Sequence, residues 1–304
     1  MIKPVFASAP AKINLCLHVT GRRKDGRHEL ESMVVFSALG DRLKAMSDKR
    51  DHLLVDGEFA KSIKPDTTNL VMDALVLFRS RFPDAVKTGL EIKLTKNLPV
   101  AAGIGGGSSD AAAMLRMMAQ MSSSPIDPVA LGQIAAQLGA DVPVCLDKRP
   151  NLMAGIGEKL TPLAKLPPVY MVLANPGLAV STKEIFAGLR RRENPPMPAL
   201  PASFDNAQQL AGWLKKTRND LENSACEMVP QIKTISGFFA EDKNCLFARM
   251  SGSGATVFAL YQNEIGALTA ARKAQKRWPR YWVRTSSIDY TNSIDYTKES
   301  NSAQ

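Results

Sequence analysis

The sequence predicts an α+β protein of two lobes. Three observations carry this: stretches of alternating apolar and polar residues are mixed with segments of helical period, a glycine-rich loop joins a strand directly to a helix, and a Pro167-Pro168 pair separates two halves that each contain strands and helices. At 304 residues the chain is long enough for one large or two ordinary domains, each with a sizeable core. The expected division is an N-terminal lobe at 1–164 that carries the glycine loop, a C-terminal lobe at 165–286 and a tail at 287–304.

Residues 11–19, AKINLCLHV, place Ile13, Leu15, Leu17 and Val19 on one face of a strand and Lys12, Asn14, Cys16 and His18 on the other, a polar face that suits a cleft. After a turn at Asp25-Gly26, residues 30–39 read as a second apolar strand and 69–82 as a helix. Leu90, Ile92 and Leu94 then alternate with Glu91, Lys93 and Thr95 in a half-buried strand that stops before Pro99. Residues 99–113, PVAAGIGGGSSDAAA, run from it into an Ala-rich helix. Ser108 or Ser109 suits its cap, Asp110 its first turn, and Ala111, Met114, Leu115, Met118 and Met121 one face. Asp127 and Pro128 start another helix, which Gly139 closes. VPVCL and residues 152–161 read as strands meeting at a turn. The second half gives a strand at 169–174, a helix at 182–191 and a proline-rich connection at 195–201. Helices follow at 208–216 and 220–239, strands at 247–250 and 255–260, a helix at 264–277 and a strand at 281–284. The tail repeats SIDYT at 287–291 and 293–297, too short for a structural repeat, and reads as a disordered extension.

The glycine loop is the main chemical signal. Gly103, Gly105, Gly106 and Gly107 let backbone amides approach an anion and adopt positive φ at little cost, and the helix start behind them offers unpaired N–H donors and partial positive charge. No Gly-Lys-Ser/Thr follows, so this is not a Walker A loop, and Ser108 stands where a dinucleotide fingerprint needs its third glycine. An ordinary flexible turn is the alternative for this segment alone. Ser251-Gly252-Ser253-Gly254, between two strand segments, reads as a tight hairpin turn or a second phosphate contact. Asp141 follows Gly139-Ala140 at a helix exit, and its carboxylate faces either a cleft or solvent; Lys12 on its strand has the same two readings.

Composition narrows the classes. No apolar stretch approaches the ~20 residues that span a bilayer, and the first residues lack the long apolar core of a leader, so the expectation is a cytoplasmic protein with no membrane partner. Cys16, Cys145, Cys226 and Cys245 are far apart, without a C-x-x-C pair, and read as reduced thiols. Three histidines, His18, His28 and His52, leave little material for a His metal site or a Ser-His-Asp triad. The net charge of +10 favours anionic partners. Its local groups, Arg22-Arg23-Lys24, Arg190-Arg191-Arg192 and Lys215-Lys216, lack interleaved aromatics and read as solvated surface, which argues against nucleic acid.

Three separated motifs coincide: PAKINLCL at 10–17, the glycine loop at 99–113 and SGSGATVFAL at 251–260. Together they resemble the galactokinase, homoserine kinase, mevalonate kinase and phosphomevalonate kinase superfamily. GRRKDGRHEL at 21–30, GADVPV at 139–144, AGIGEKLTPL at 154–163 and NDLE at 219–222 are similar in particular to its 4-diphosphocytidyl-2-C-methyl-D-erythritol kinase family. The resemblance runs from about residue 10 to 260 and is specific as a set.

The resemblance implies an ATP-binding N-terminal lobe like domain 2 of ribosomal protein S5, a ferredoxin-like C-terminal lobe, and an active site between them. The implied reaction moves the γ-phosphoryl group of ATP to the 2-hydroxyl of the methylerythritol moiety, in non-mevalonate isoprenoid precursor synthesis. Asp141 and Lys12 match the catalytic pair. Pro99, Val100, Ala101, Ala102, Gly103, Ile104, Gly105, Gly106, Gly107, Ser108 and Ser109 match the ATP loop. Mg²⁺ arrives with ATP, with Ser108 or Ser109 as a hydroxyl that touches it. On the acceptor side the resemblance implies Asn14, His28, Thr182 and Phe186, with Ser251, Gly252, Ser253 and Gly254 closing from the other lobe. Phe186 stacks on the cytosine and His28 reads its edge. The family usually has DGYH where this chain has Asp25-Gly26-Arg27-His28; a guanidinium stacks on a base and attracts a diphosphate, so Arg27 stands in for the missing aromatic wall. The competing readings are another kinase of the superfamily, of homoserine or mevalonate type, and an RNA-binding protein. The expected state is a monomer or weak homodimer.

Overall fold

The computed structural model describes residues 4–63, 69–163 and 166–288. In chain order its first half holds β1 (Val5–Arg22), β2 (His28–Asp48), β3 (His52–Asp56), α1 (Leu70–Arg81), β4 (Gly89–Thr95), α2 (Gly106–Met121), α3 (Pro128–Leu138), α4 (Val142–Asp147), β5 (Asn151–Gly155) and β6 (Lys159–Pro162). The second holds β7 (Tyr170–Asn175), α5 (Thr182–Ala187), α6 (Ala207–Leu214), α7 (Glu222–Met228), α8 (Gln231–Ala240), β8 (Cys245–Met250), β9 (Val257–Tyr261), α9 (Glu264–Arg277) and β10 (Trp282–Ser287).

The long antiparallel pair β1–β2 is the spine. Along one edge β2 pairs with β1; along the other its first part, Leu30 to Val34, takes β5 and its last part, Arg42 to Asp48, takes β4. The first sheet therefore runs β3-β4-β2-β5-β6 with β1 alongside β2, and a second, antiparallel sheet runs β10-β7-β9-β8. Helices α1, α2 and α3 lie over the first sheet on a core that includes Phe36, Phe78, Ile92 and Met114. Asn69 and Asp127 start α1 and α3 by accepting backbone N–H bonds, as short polar side chains do at helix starts. The second sheet packs on α8 and α9 through Ile235, Phe239, Tyr261 and Ala270.

A third core joins the two halves. Ile13, Leu15 and Val35 of the spine meet Met171, Leu173 and Phe258 of the second sheet, and each such buried side chain contributes roughly 1.5–3 kcal/mol. The predicted α+β class holds, with one sheet on each side of this shared core. Residues 164 and 165, where the expected boundary falls, lie outside the described residues. No helix among those described is long and apolar enough to cross a membrane.

Four expectations are corrected. VPVCL lies in helix α4, not a strand: Pro143 sits in its first turn, where the missing N–H costs nothing, and a run of six is too short for periodicity to decide. The helix expected at 220–239 is two, α7 and α8, divided at Val229-Pro230, because the residue before a proline is disfavoured in helical conformation. The helix expected at 182–191 ends at Ala187, before Gly188. Ser287, expected in the tail, closes β10 opposite Tyr170, and Ile288 is buried with its N–H on the Val169 carbonyl, so both belong to the second sheet's packing; residues 289–304 lie outside the described residues.

Candidate active site

A cleft of about 1170 Å³ lies where the glycine loop, the middle and end of β1, the turn into α4 and the loops of the second half meet. The glycine loop leaves β4 and turns into α2 through left-handed residues: Ala101 at φ 51°, Gly103 at 72° and Gly105 at 62°. Gly105 precedes the first residue of α2, and no side chain caps the helix. Ser108 and Ser109 therefore lie inside the first turn rather than at the cap, and the amides of Gly105 to Ser108 sit at the cleft wall in the anion-binding arrangement of an open helix N-terminus. Pro99, Val100, Ala101, Ala102 and Gly103 continue that wall.

Two predicted loop residues do not reach it. Ile104 is buried, and its carbonyl accepts the Lys12 N–H at 2.9 Å, pinning the loop to β1. Ser109 is buried off the wall with its hydroxyl unpartnered.

The second glycine loop, between β8 and β9, packs against the first backbone to backbone. A Cβ on Gly103 would lie 2.6 Å from Gly254 N and Ser251 O, and one on Gly252 would lie 2.7 Å from Gly103 O. Ser251 Oγ donates to Gly103 O and accepts from Asn14 N, both at 3.1 Å. Ser251 and Gly254 are thus the join between loops, while Gly252 and Ser253 line the cleft.

Lys12 and Asp141 meet at this junction. Lys12 Nζ donates to Asp141 Oδ1 at 2.7 Å; the lysine side chain is 5% exposed and the carboxylate 39%, so the carboxylate is the member open to a ligand. The lysine stem runs under Gly105, where a Cβ would come within 3.1 Å of it. Asn14 shares the wall and donates to Ser32 Oγ at 2.7 Å. The alternation then breaks. Pairing of β1 with β2 slips between Asn14 and Cys16, so Leu17 lines the cleft and Cys16 enters the core, where burial pushes its thiol up to about 11. His18 is wholly buried and accepts the Arg218 N–H at 3.1 Å, a structural role.

At the other end of the cleft the rings of His28 and Phe186 stack on each other, centroids 4.9 Å apart and tilted 24°. The expectation had Phe186 stacked on a base; here one face of its ring is covered by His28. Burial, then the charges of Arg22 and Arg192, push the His28 pKa down, which keeps the ring neutral, and its Nε2 is buried without a partner. Thr182 Oγ1 lies 2.9 Å from Ser253 Oγ. Arg27 reaches the wall but is tied to Asp25, with Nη2 at 2.8 Å from Oδ2, and is 63% exposed.

Sequence reasoning missed a buried ionic trio under the loop. Lys96 Nζ donates to Asp41 Oδ2 at 2.5 Å and to Asp110 Oδ2 at 2.6 Å, and a Cβ on Gly106 would lie 3.2 Å from that ammonium. Asp41 Oδ1 also accepts the Asn97 and Leu98 N–H groups, fixing the turn into the loop. Burial raises the Asp110 pKa to about 7 against the pull of Lys96. A signal was present: Asp110 falls four residues before Met114 and seven before Met117, on the apolar face of its helix. Asn69, Arg22, Lys183 and Arg192 also line the cleft and were not assigned to it. Among the described residues no three His, Cys, Asp or Glu side chains group as a metal site would require.

Comparison with known proteins accounts for both lobes. The model of the GHMP kinases N terminal domain matches residues 69–149, and that of the GHMP kinases C terminal domain matches 198–280. The 4-diphosphocytidyl-2-C-methyl-D-erythritol kinase of Dinoroseobacter shibae is 47% identical over 92% of this chain and 94% of its own length. That of a Chelativorans species is 44% identical over 91% and 94%. A crystal structure of 4-(cytidine 5'-diphospho)-2C-methyl-D-erythritol kinase superposes with a TM-score of 0.75 at 33% identity, covering 94% of this chain and all of the other. Homoserine kinase from Cytophaga hutchinsonii, at 17% identity and a TM-score of 0.67, shares the fold. The chain belongs to the 4-diphosphocytidyl-2-C-methyl-D-erythritol kinase family of the GHMP kinases.

Proposed function

We propose that the protein transfers the γ-phosphoryl group of ATP to the 2-hydroxyl of 4-diphosphocytidyl-2-C-methyl-D-erythritol, a step of non-mevalonate isoprenoid precursor synthesis. The observation that carries this is the Lys12–Asp141 pair, 2.7 Å apart, set between an open helix N-terminus and an aromatic pair in one cleft. Phosphoryl transfer asks for positioning, charge neutralisation and a proton acceptor, and the cleft supplies each.

The acceptor hydroxyl loses its proton to Asp141 as its oxygen bonds the γ-phosphorus and the bond to the β-phosphate oxygen breaks, releasing ADP. Lys12, held between Gly105 and Asp141, steadies the negative charge that grows on the attacking oxygen. The amides of Gly105 to Ser108 hold the transferred and departing phosphates, and Asn14 and Ser253 orient the acceptor. Thr182 supports Ser253. A cytosine lies against the His28–Phe186 pair, with the unpartnered Nε2 of His28 toward its edge.

The hydroxyl that would touch a divalent ion carried by the nucleotide is that of Ser108, which lines the cleft, whereas Ser109 is buried off its wall. When bound, Mg²⁺ would neutralise phosphate charge. In this reading the enzyme works in the cytoplasm on two small molecules, without nucleic acid, as a monomer or weak homodimer.

The test is the purified protein with Mg-ATP and a panel of acceptors, following ADP release and identifying the acceptor that gains phosphate. Transfer to the cytidine diphosphate methylerythritol is expected. Transfer to homoserine or mevalonate instead, or none to the expected acceptor, overturns the reading.

A further inference from the structure

The charges on the cleft wall do not balance. Among the described residues Lys12, Arg22, Arg27, Lys96, Lys183 and Arg192 face it against two carboxylates, Asp110 and Asp141, and those two are already paired with Lys96 and Lys12. Arg27 has its own counterion in Asp25. Arg22 bonds only the Gly26 carbonyl through Nε, and Arg192 has no hydrogen-bond or ion-pair partner among the described residues.

These two guanidiniums reach the same place from different segments, Arg22 from the end of β1 and Arg192 from the loop after α5. Both bear electrostatically on the His28 ring. An isolated surface arginine is ordinarily solvated. Two that line one cleft and both bear on the ring of its aromatic pair, with no ion-pair partner among the described residues, create a positive field beyond what the glycine loop and Lys12 need for ATP. A guanidinium fork matches phosphate oxygens in bidentate geometry, and charge-assisted bonds of this kind are the stronger ones.

We propose that Arg22 and Arg192 hold the diphosphate of the acceptor, and that they make the enzyme select a nucleoside-diphosphate-linked alcohol over an uncharged one. The assignment rests on the kinase reading above and adds to it the residues that recognise the acceptor's charge. Arg192, without an ion-pair partner among the described residues, supplies the larger share, and Arg22, held at Nε by the Gly26 carbonyl, the smaller.

The experiment measures KM for each substrate in Arg192→Ala, Arg22→Ala and the double variant, with Lys215→Ala as a remote surface-charge control. The expected result is an acceptor KM raised about tenfold by Arg192→Ala and more by the double variant, with kcat and the ATP KM within about twofold of wild type. Arg192→Lys should recover part of the loss, since it restores charge without the fork. An unchanged acceptor KM in the double variant, or equal rises for both substrates, overturns the proposal. Calorimetry with cytidine 5′-diphosphate in the presence of a non-hydrolysable ATP analogue provides a readout that needs no turnover. Binding that weakens in the double variant supports the arginines even if the acceptor assay fails in wild type, a failure that would sink the functional reading alone. Wild-type and double variant binding the diphosphate equally, or neither binding it, overturns the arginine assignment.

Discussion

At the glycine-loop end of the cleft, Lys96 and Asp110 reach the wall with side chains 4% exposed and already ion-paired, whereas at the other end Arg22 and Arg192 are exposed, with no ion-pair partner among the described residues. The first end is organised by the fold itself. Asp41 holds Lys96 and two backbone N–H groups at the loop entrance, so loop and helix start are in place before ATP arrives. The second end leaves its charge for the ligand to neutralise. A site built into the core ties function to stability, while one built from exposed cations should lose affinity without losing fold.

The sharpest break would come at the junction of the two ends. Asp141→Asn should lower kcat by about 10²- to 10⁴-fold while leaving the melting temperature and both KM values near wild type; near-normal kcat would remove Asp141 from the proton-acceptor role. Next in size is Lys96→Met, which leaves two buried carboxylates without a counterion. It should destabilise the protein by about 3–5 kcal/mol and raise the ATP KM more than the acceptor KM, as denaturant titration and steady-state kinetics would read. A fully stable Lys96→Met protein would mean that the trio does not anchor the loop.

The same contrast explains what was legible in the sequence. Strand β4, the helix α3 between Asp127 and Gly139, and the helix α9 at Glu264 to Arg277 were readable because period and caps are local. Lys12 and Asp141 lie 129 residues apart, and their pairing was readable only through the resemblance. The trio was not read, because Asp41, Lys96 and Asp110 come from three elements and each looks like an ordinary surface charge until the sheet brings them together. The slip in β1 defeated strict alternation, which assigned Cys16 to the cleft where Leu17 stands. Arg22 and Arg192 were read as solvated because each sits in a run of basic residues, and only the packing of α5 near β2 shows that one member of each run faces the cleft.

Arg27→Ala tests the acceptor end more gently. Because Asp25 already holds this guanidinium with two hydrogen-bond-length contacts, the acceptor KM should rise only about two- to fivefold, less than for Arg192→Ala, with the ATP KM unchanged. A larger effect than Arg192→Ala would reverse their order and place Arg27 in the main contact.

The smallest effect concerns the proton on Asp110. Its carboxyl, ordinarily near 3.8, is raised by burial to about 7, while Lys96 and Asp41 stand beside it as its charged neighbours. Below pH 7 the Asp110 carboxyl is neutral; above it a further negative charge develops beneath the helix that faces the phosphates. The ATP KM should therefore rise between pH 6 and 8 by about two- to fivefold more in wild type than in Asp110→Asn. The terminal phosphate of ATP ionises in the same range but equally for both proteins, so the difference isolates the carboxyl. Stability follows the same sign. A carboxyl whose folded pKa lies above its unfolded value stabilises the fold most below about 4, and this contribution fades as pH rises through about 7. The melting temperature of Asp110→Asn relative to wild type should thus be more favourable at pH 8 than at pH 5. Parallel curves in both measurements would show that Asp110 stays ionised throughout, and that the loop end carries a fixed rather than a titrating charge.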